Sequence, residues 1–152
     1  MATRSNIAYR TPEGKIRSVY CHWDGYPAHN GEMLRRYYTE ARKIAQLVEL
    51  GSLSSLNENV FPVGTDHSFD KAQEGVCVFY GRDRGETGQE PREYDDIPSW
   101  IDDMEEYAYL WNGKEWLVND HGERDADGYP IFNRVEDVVT DTMRKELGWD
   151  VA

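Results

Sequence analysis

The pair Asn112-Gly113 constrains the fold of this chain more than any other feature of the sequence. It separates two runs of strand-forming residues, and Asn-Gly favours a two-residue type I′ turn because both residues tolerate positive φ. The segment is therefore predicted to be an antiparallel hairpin. A turn at these two residues places Tyr109 opposite Trp116. Tyr107 then lies opposite Val118, and the hairpin has one aromatic face.

A second hairpin is predicted near the start of the chain, where strand-forming residues at 7–10 and 16–21 flank a turn sequence at 11–14. Alternation along its second strand divides the side chains between two faces. The core face is predicted to hold Val19, Cys21 and Trp23, and the opposite face Tyr20 and His22.

Helical spacing of apolar residues after position 30 predicts two short helices in succession, or one helix bent at Tyr38-Thr39. Asn30 and Thr39 are the candidate N-caps, since their side chains accept hydrogen bonds from free helix N–H groups. Gly51 is placed to end the second helix.

Two further segments decide the fold class. The unbroken apolar run 75–80 predicts a central strand buried on both faces. An apolar stripe near 134–147 predicts a C-terminal helix, capped by Asn133 and Glu136. Because strands outnumber helices and fall mainly in hairpins, the prediction is a single α+β domain over 1–152. Its antiparallel sheet is built from hairpins and covered by two or three helices.

The charge of the chain is concentrated in one stretch. The 152 residues have a formal net charge of −12, and residues 83–128 hold four Lys/Arg and fifteen Asp/Glu, a net −11. Such a field repels nucleic acid and anionic membranes, so we expect no membrane contact and no direct nucleic-acid binding. The same stretch would attract a basic host protein or imitate a phosphate backbone, and the alternative is a solvated acidic surface.

Neither a membrane-spanning run nor a signal peptide is evident, since no apolar run approaches the roughly 20 residues that span a bilayer. The two cysteines, Cys21 and Cys77, lie 56 positions apart, which excludes a disulfide framework and a four-thiolate zinc site. We therefore expect a soluble cytoplasmic protein.

Three segments carry a resemblance to a known group of proteins. They are the opening at 3–8 (Thr-Arg-Ser-Asn-Ile-Ala), the polar stretch at 21–26 (Cys-His-Trp-Asp-Gly-Tyr) and the turn sequence at 81–86 (Gly-Arg-Asp-Arg-Gly-Glu). Through these segments, roughly the first 90 residues resemble a family of small, uncharacterised proteins encoded by bacteriophages and prophages. The resemblance implies a phage setting, with the host cytoplasm as the location, and it brings no activity or site residues.

Polar clusters at two predicted strand ends are candidates for a ligand site. The segment after the second strand and the arginines after the run 75–80 would meet if both strand ends lie at one edge of the sheet. Arginine donors and free helix N–H groups would then face one anion-sized space. The structural alternative is a tight turn in which neighbouring carboxylates neutralise the arginines. The predicted ligand-binding residues are Arg4, His22, Asp24, Tyr26, His29, Asn30, Arg82 and Arg84.

Other chemistry has weaker support in the sequence. His22, Asp24 and His29 have the side chains of a zinc or iron site, but their spacing matches no known motif, so we expect no metal and no cofactor. Cys21 and Cys77 are interpreted as small buried hydrophobes. Since Cys21 and His22 are adjacent in a strand, they point to opposite faces, and no catalytic residue is predicted.

Three classes of function follow, in order of preference. The first is a non-enzymatic accessory protein that binds and sequesters a small phosphorylated ligand, such as a nucleotide signal, and so counters host defence. The second is an acidic inhibitor or nucleic-acid mimic that acts on a host protein through residues 83–128. The third is a small hydrolase that uses His22, Asp24 and His29. For the first class we expect a homo-oligomer, since pockets for small ligands often lie between subunits.

Overall fold

The computed structural model describes residues 2–151, which contain eight strands in one sheet. The strands are β1 (Ser5–Arg10), β2 (Ile16–Cys21), β3 (Leu53–Ser55), β4 (Val78–Phe79), β5 (Arg92–Tyr94), β6 (Tyr107–Trp111), β7 (Trp116–Asp120) and β8 (Asn133–Arg134). Seven follow the order β4-β3-β2-β1-β6-β7-β8, and β5 pairs with the beginning of β2. The sheet is mixed, because β1 pairs with β6 and β2 pairs with β3 in parallel.

Residues 2–151 also form six helices, so the predicted α+β class is confirmed. The helices are α1 (Glu32–Tyr37), α2 (Ala41–Glu49), α3 (Tyr80–Arg84), α4 (Ile97–Asp103), α5 (Val135–Val138) and α6 (Asp141–Glu146). A π-helical segment, Pro27–Gly31, leads directly into α1. Among the residues from 2 to 151, no helix combines the length and the apolar character that crossing a membrane requires.

Both predicted hairpins are present, as β1–β2 and β6–β7. The register of the second differs from the prediction, because Trp116 lies opposite Trp111 rather than Tyr109. Its turn is centred one residue later than Asn112-Gly113, and only Gly113 in it has positive φ, so it is not a type I′ turn. The Asn112 side chain accepts hydrogen bonds from two backbone N–H groups of the turn, each at 2.9 Å, and so fixes the later position. Each residue of β6 therefore lies opposite a β7 residue two positions later than predicted. Because side chains alternate between the faces of a strand, a shift of two positions keeps the aromatic side chains on one face.

The prediction of a central strand at 75–80 is wrong. Only the two-residue strand β4 forms there, and it lies at one edge of the sheet. The run departs from the sheet because the N–H of Cys77 bonds to the carbonyl of Asn59 (2.9 Å) and Tyr80 begins helix α3. Leu56 and Val60, in the irregular segment before the run, join the same buried cluster. The run is therefore buried by this segment and not by a strand on each side.

Two short successive helices near residue 40 are confirmed as α1 and α2. The N-cap of α2 is Glu40 rather than the predicted Thr39. Gly51 follows the end of α2, as predicted, with a φ of +92°.

The predicted C-terminal helix is two short helices, α5 and α6. Thr140 separates them, because its side chain accepts a hydrogen bond from the N–H of Met143 (3.2 Å) and starts α6. The predicted cap at Asn133 and Glu136 is wrong, since Asn133 lies in β8 and Arg134 precedes α5.

Helices cover the sheet on both faces. Apolar side chains of α1, α2 and α5 pack with those of the central strands on one face, in a cluster that includes Ile7, Val19, Tyr109, Trp116, Leu34, Leu47 and Val135. Helix α4 covers part of the other face, where the indole N–H of Trp100 donates to Ser18 Oγ (2.8 Å). The ring of Trp100 also stacks on Phe132 with a centroid distance of 6.3 Å.

Substitution of Gly51 by alanine is expected to lower the free energy of unfolding by about 3 kcal/mol. The φ of Gly51 lies in the left-handed region, and a Cβ would lie 2.3 Å from the carbonyl oxygen of Gln89. That oxygen cannot shift freely, because it accepts a hydrogen bond from the N–H of Ser52 (2.8 Å). Urea denaturation measures the loss.

Gly113→Ala is the matched control for Gly51→Ala. Gly113 also has a positive φ of +99°, but no atom of the described chain lies within 4 Å of an added Cβ. Its substitution is expected to lower the free energy of unfolding only by the cost of placing alanine in the left-handed region, about 1–2 kcal/mol. Equal losses in the two variants would contradict a role for the Gln89 carbonyl.

Candidate functional site

Part of the ligand site is predicted at residues 22–26, which we call the corner after β2. This corner is held in place through hydrogen bonds of its backbone. The N–H of Gly25 donates to the carbonyl of Thr3 (2.8 Å), and a Cβ on Gly25 would lie 2.9 Å from backbone atoms of Thr3 and Arg4 and from the Cβ of Ser5, the first residue of β1. The hydroxyl of Tyr109 donates to the carbonyl of Gly25 (2.6 Å). Asp24, with a φ of +57°, is exposed at this corner. The glycine is therefore required for close packing between the corner and β1.

Asn30 is buried and does not cap a helix, contrary to the prediction. It lies within the π-helical segment that precedes α1. Its Nδ2 donates to Ser5 Oγ (3.3 Å) and to the carbonyl of Trp23 (3.2 Å). The side chain thus joins β1 to the corner after β2, and this is a structural role.

Tyr26 and His29 lie together under the C-terminal part of the chain. Their ring centroids are 6.1 Å apart, and the ring of His29 is 6.4 Å from that of Trp149. The indole N–H of Trp149 donates to the carbonyl of Ala28 (2.8 Å). Sequence reasoning missed this contact, because Trp149 is more than one hundred positions away.

Arg82 is bound inside its own part of the chain. It lies in α3 rather than at a strand end, and it donates to the carbonyls of Val60 (2.6 Å) and Cys77 (2.9 Å) and to Asp83 Oδ1 (2.8 Å). Burial opposes ionisation of Asp83, but hydrogen bonds from Arg82, the N–H of Phe79 and other donors lower its pKa. The guanidinium is thus a clamp between α3 and the irregular segment before β4.

Arg84, the other predicted arginine, lies at the surface. It pairs with Glu86 (2.6 Å) and its guanidinium lies 4.2 Å from the ring centroid of Phe69. The hydrogen bonds of Arg82 and Arg84 all go to residues 60–86. Neither arginine therefore forms a hydrogen bond with the corner after β2 in the described part of the chain.

His22 lies on the second face of the sheet together with Tyr20, which lines a cavity there. Tyr20 and His22 share this face, as predicted, and the Tyr20 hydroxyl lies 2.6 Å from His22 Nδ1. Trp23, predicted in the core, is instead 45% exposed, because β2 ends at Cys21.

The cavity beside Tyr20 has a volume of about 360 Å³. Its charged lining comprises Glu90, Arg92, Asp103 and Glu105. Arg4 lies outside the lining but pairs with Glu105 at 3.5 Å. Carboxylates outnumber cations in this cavity, so its field disfavours a phosphate.

The acidic stretch 83–128 is partly neutralised by cations from the first half of the chain. Lys15 pairs with Asp95 (2.7 Å) and Arg17 with Glu93 (3.2 Å). Together with the Arg4–Glu105 pair, these contacts disperse the charge that is contiguous in the sequence. A uniform imitation of a phosphate backbone gains no support from this arrangement.

His22, Asp24 and His29, considered above as an alternative metal or hydrolase set, are not brought together as a metal site. Within residues 2–151, no three His, Cys, Asp or Glu side chains are placed to hold a metal ion. Cys21 and Cys77 are buried, as predicted, and burial raises the pKa of Cys21 to about 12. A thiol with that pKa is a poor nucleophile.

A cluster of arginines around one buried carboxylate is the arrangement best suited to binding an anion. Glu32 is fully buried at the start of α1. Its carboxylate accepts hydrogen bonds from Arg35 (3.0 and 2.6 Å), Arg36 (2.5 Å) and Arg144 (3.1 Å). Burial opposes ionisation of Glu32, but the three guanidiniums outweigh it and lower its pKa to about 2. We call Glu32 and these three arginines the arginine cluster.

Each guanidinium of the arginine cluster keeps donors for a ligand. Arg35 uses Nε and Nη2 on the buried carboxylate, which leaves Nη1 available. Beyond their Nε contacts, Arg36 donates through Nη2 to the carbonyl of Asp150, and Arg144 donates through Nη1 to Asp141 (2.8 Å). All three arginines line one cavity of about 350 Å³, which we call the anion cavity.

A second, smaller cavity adjoins the arginine cluster at Arg35. It has a volume of about 200 Å³ and lies at the turn of the β6–β7 hairpin, which we call the aromatic hairpin. Its lining residues are Arg35, Thr39, Trp111, Lys114, Glu115, Trp116, Arg134 and Glu136. The rings of Trp111 and Trp116 are 5.6 Å apart. We call this the Trp111 cavity, and it places an aromatic ring beside the cations.

Part of the arginine cluster has a local signal in the sequence. Glu32 precedes Arg35 and Arg36 by three and four positions, a spacing that places all three on one helix face. Arg144 is 112 positions from Glu32, and no local pattern connects them. The full cluster is therefore visible only in the fold.

Arg82→Ala is expected to lower the free energy of unfolding by about 2–3 kcal/mol, because two buried carbonyls lose a donor and the Asp83 carboxylate loses its charged partner. Arg84→Ala is the matched control, since its ion pair is at the surface, and it is expected to cost less than about 1 kcal/mol. Thermal and urea denaturation of both variants measure the difference. Equal losses would contradict the clamp assigned to Arg82.

Glu32→Gln is expected to lower the free energy of unfolding at pH 7 by about 3 kcal/mol, since it leaves three guanidiniums around a neutral group. The folded pKa of Glu32, about 2, lies below its ordinary value of 4.5. The stabilisation is therefore complete above about pH 4.5 and is lost as the pH falls towards 2. The difference between wild type and Glu32→Gln should shrink over that range in urea denaturation series.

Glu146→Gln serves as the control for the pH series, because Glu146 is an exposed glutamate of α6. Its stability should follow that of the wild type within about 0.5 kcal/mol at every pH. A Glu32→Gln deficit that does not change between pH 5 and pH 3 would contradict the depressed pKa.

Comparison of the chain with protein-family models, with curated proteins and with solved structures finds no match in any of the three. The candidate site therefore rests on the geometry and charge of the arginine cluster and its two cavities.

Proposed function

We propose that this protein binds a small phosphorylated ligand, without transforming it, in the anion cavity. The observation that carries the proposal is the buried Glu32 carboxylate, which orients three guanidiniums toward one cavity. Asp141 and Asp150 also line this cavity, so together with Glu32 three carboxylates balance the three guanidiniums. The proposal therefore rests on the hydrogen-bond donors of the guanidiniums and not on a positive surplus, within a chain whose net charge is −12.

Guanidinium groups suit phosphate better than other cations do. Their N–H donors have a planar fork geometry that matches phosphate oxygens, and charge-assisted hydrogen bonds of this kind are stronger than neutral ones. Arg35 and Arg36 are held by hydrogen bonds within 3.0 Å of Glu32, so little rotamer entropy is lost when a ligand binds. The cavity volume of about 350 Å³ lies in the range of small-ligand sites.

A biological role follows from combining this site with the resemblance to phage-encoded proteins. A cytoplasmic phage protein that binds a phosphorylated signal of the host, and does not consume it, lowers the free concentration of that signal. Sequestration of a nucleotide signal, and through it evasion of host defence, is the role we propose. The homo-oligomer expected from the sequence belongs to the same proposal, and native mass spectrometry measures it together with any bound ligand.

Arg35→Ala is expected to weaken binding of pyrophosphate and of nucleotides about ten- to a hundredfold, because one charge-assisted contact is lost. Two arginines still hold the Glu32 carboxylate in this variant. Isothermal titration calorimetry with pyrophosphate and a nucleotide panel measures the affinity, and circular dichroism verifies the fold.

Arg84→Ala distinguishes the arginine cluster from the site predicted by sequence. Arg84 is an exposed arginine outside both cavities, so its substitution is expected to leave the affinity unchanged. Failure of the wild type to bind any phosphorylated compound of the panel would overturn the proposal. A larger loss with Arg84→Ala than with Arg35→Ala would move the site to the turn at 81–86.

A further inference from the structure

We infer that the ligand is a nucleotide whose base lies against Trp111 while its phosphate occupies the anion cavity. This inference rests on the proposed function and extends it, because it assigns a second subsite to the base of the nucleotide. The subsite is the Trp111 cavity, at the end of the aromatic hairpin.

The two cavities meet at one side chain. Arg35 lines both the anion cavity and the Trp111 cavity. The pKa of Arg35 is raised first by its hydrogen bonds to Glu32, against burial, and further by the charges of Glu136 and Asp141. Glu136 lines the Trp111 cavity and Asp141 lines the anion cavity, so Arg35 has an acidic neighbour in each of the two spaces that it lines. A ligand that extends past Arg35 therefore contacts both.

The size of the Trp111 cavity indicates that it takes only part of a ligand. Sites for a whole small molecule typically measure about 300–1,000 Å³. The Trp111 cavity measures about 200 Å³, and the anion cavity about 350 Å³. A flat ring system in the smaller space, joined to a phosphate in the larger one, uses both.

Trp111 offers a firm surface for an aromatic ring. Its indole is half-buried and lies 5.6 Å from the ring of Trp116. Trp116 is itself fixed, since its indole N–H donates to the carbonyl of Tyr38 (2.8 Å). Bases stack on aromatic side chains of this kind with little dependence on sequence. A ring already held in place loses less entropy on binding than a mobile one.

Polar groups at the rim of the Trp111 cavity suit the edge of a base. Arg134 donates to Glu115 (2.8 Å) and to Glu136 (2.7 Å), and so holds both carboxylates in position. Carboxylates accept hydrogen bonds from ring and exocyclic N–H groups, whereas Lys114 and the Thr39 hydroxyl are donors for ring nitrogens and carbonyls. A sugar phosphate without a base would leave these groups unused.

The test compares AMP and GMP with ribose 5-phosphate by isothermal titration calorimetry. On the wild type, at least one of the two nucleotides is expected to bind about ten- to a hundredfold more tightly than ribose 5-phosphate. Trp111→Leu is expected to remove that advantage and to leave the affinity for ribose 5-phosphate unchanged. Trp23→Leu is the matched control, because Trp23 is exposed and lines neither cavity, and it should alter neither affinity.

The outcomes separate this inference from the proposed function. If ribose 5-phosphate binds as tightly as both nucleotides, or if Trp111→Leu weakens all three equally, the base subsite is wrong and the anion cavity stands. If none of the three binds, the proposed function itself fails. Should Trp111→Leu not fold, Trp111→Phe retains a stacking ring and is expected to keep nucleotide affinity within about threefold. The comparison of ligands on the wild type decides the question without any variant.

Discussion

Placing a carboxylate in the interior of a protein costs several kcal/mol unless partners compensate for the lost hydration. Glu32 meets this requirement with three guanidiniums, two from the next turn of its own helix and one from α6. The position of α1 against the C-terminal helices depends on this exchange of hydrogen bonds. The same three arginines line the anion cavity, where they still present hydrogen-bond donors to solvent.

The charge map of the sequence differs from the charge map of the fold. In the sequence, residues 1–82 are nearly neutral and 83–128 are strongly acidic. In the fold, Lys15 and Arg17 pair with carboxylates of the acidic stretch. The arginine cluster draws all four of its members from outside that stretch, and so do the two carboxylates that line its cavity, Asp141 and Asp150. An approaching anion therefore meets the repulsion of the whole chain first, and the guanidinium donors of the cluster only at hydrogen-bond distance.

Local turn chemistry explains what the sequence could predict, and long-range pairing explains what it could not. Both hairpins follow from turn residues flanked by strand formers, and the α+β class follows from them. The parallel pairing of β1 with β6 joins segments about one hundred positions apart and leaves no local pattern. Arg82 shows why the site could not be predicted from the sequence. Its position two residues before Arg84 suggests a pair of phosphate-binding arginines, whereas its actual partners, the carbonyls of Val60 and Cys77, are recognised only in the fold.

The contact between Glu32 and Arg144 joins a residue that is synthesised early to one that is synthesised late. A ribosome delivers Glu32 early and Arg144 112 residues later, after every strand of the sheet. During synthesis the buried carboxylate has only Arg35 and Arg36 as partners, and both come from its own helix. All eight strands precede Arg144 along the chain, so the arginine cluster is the last of these features to have all its residues synthesised.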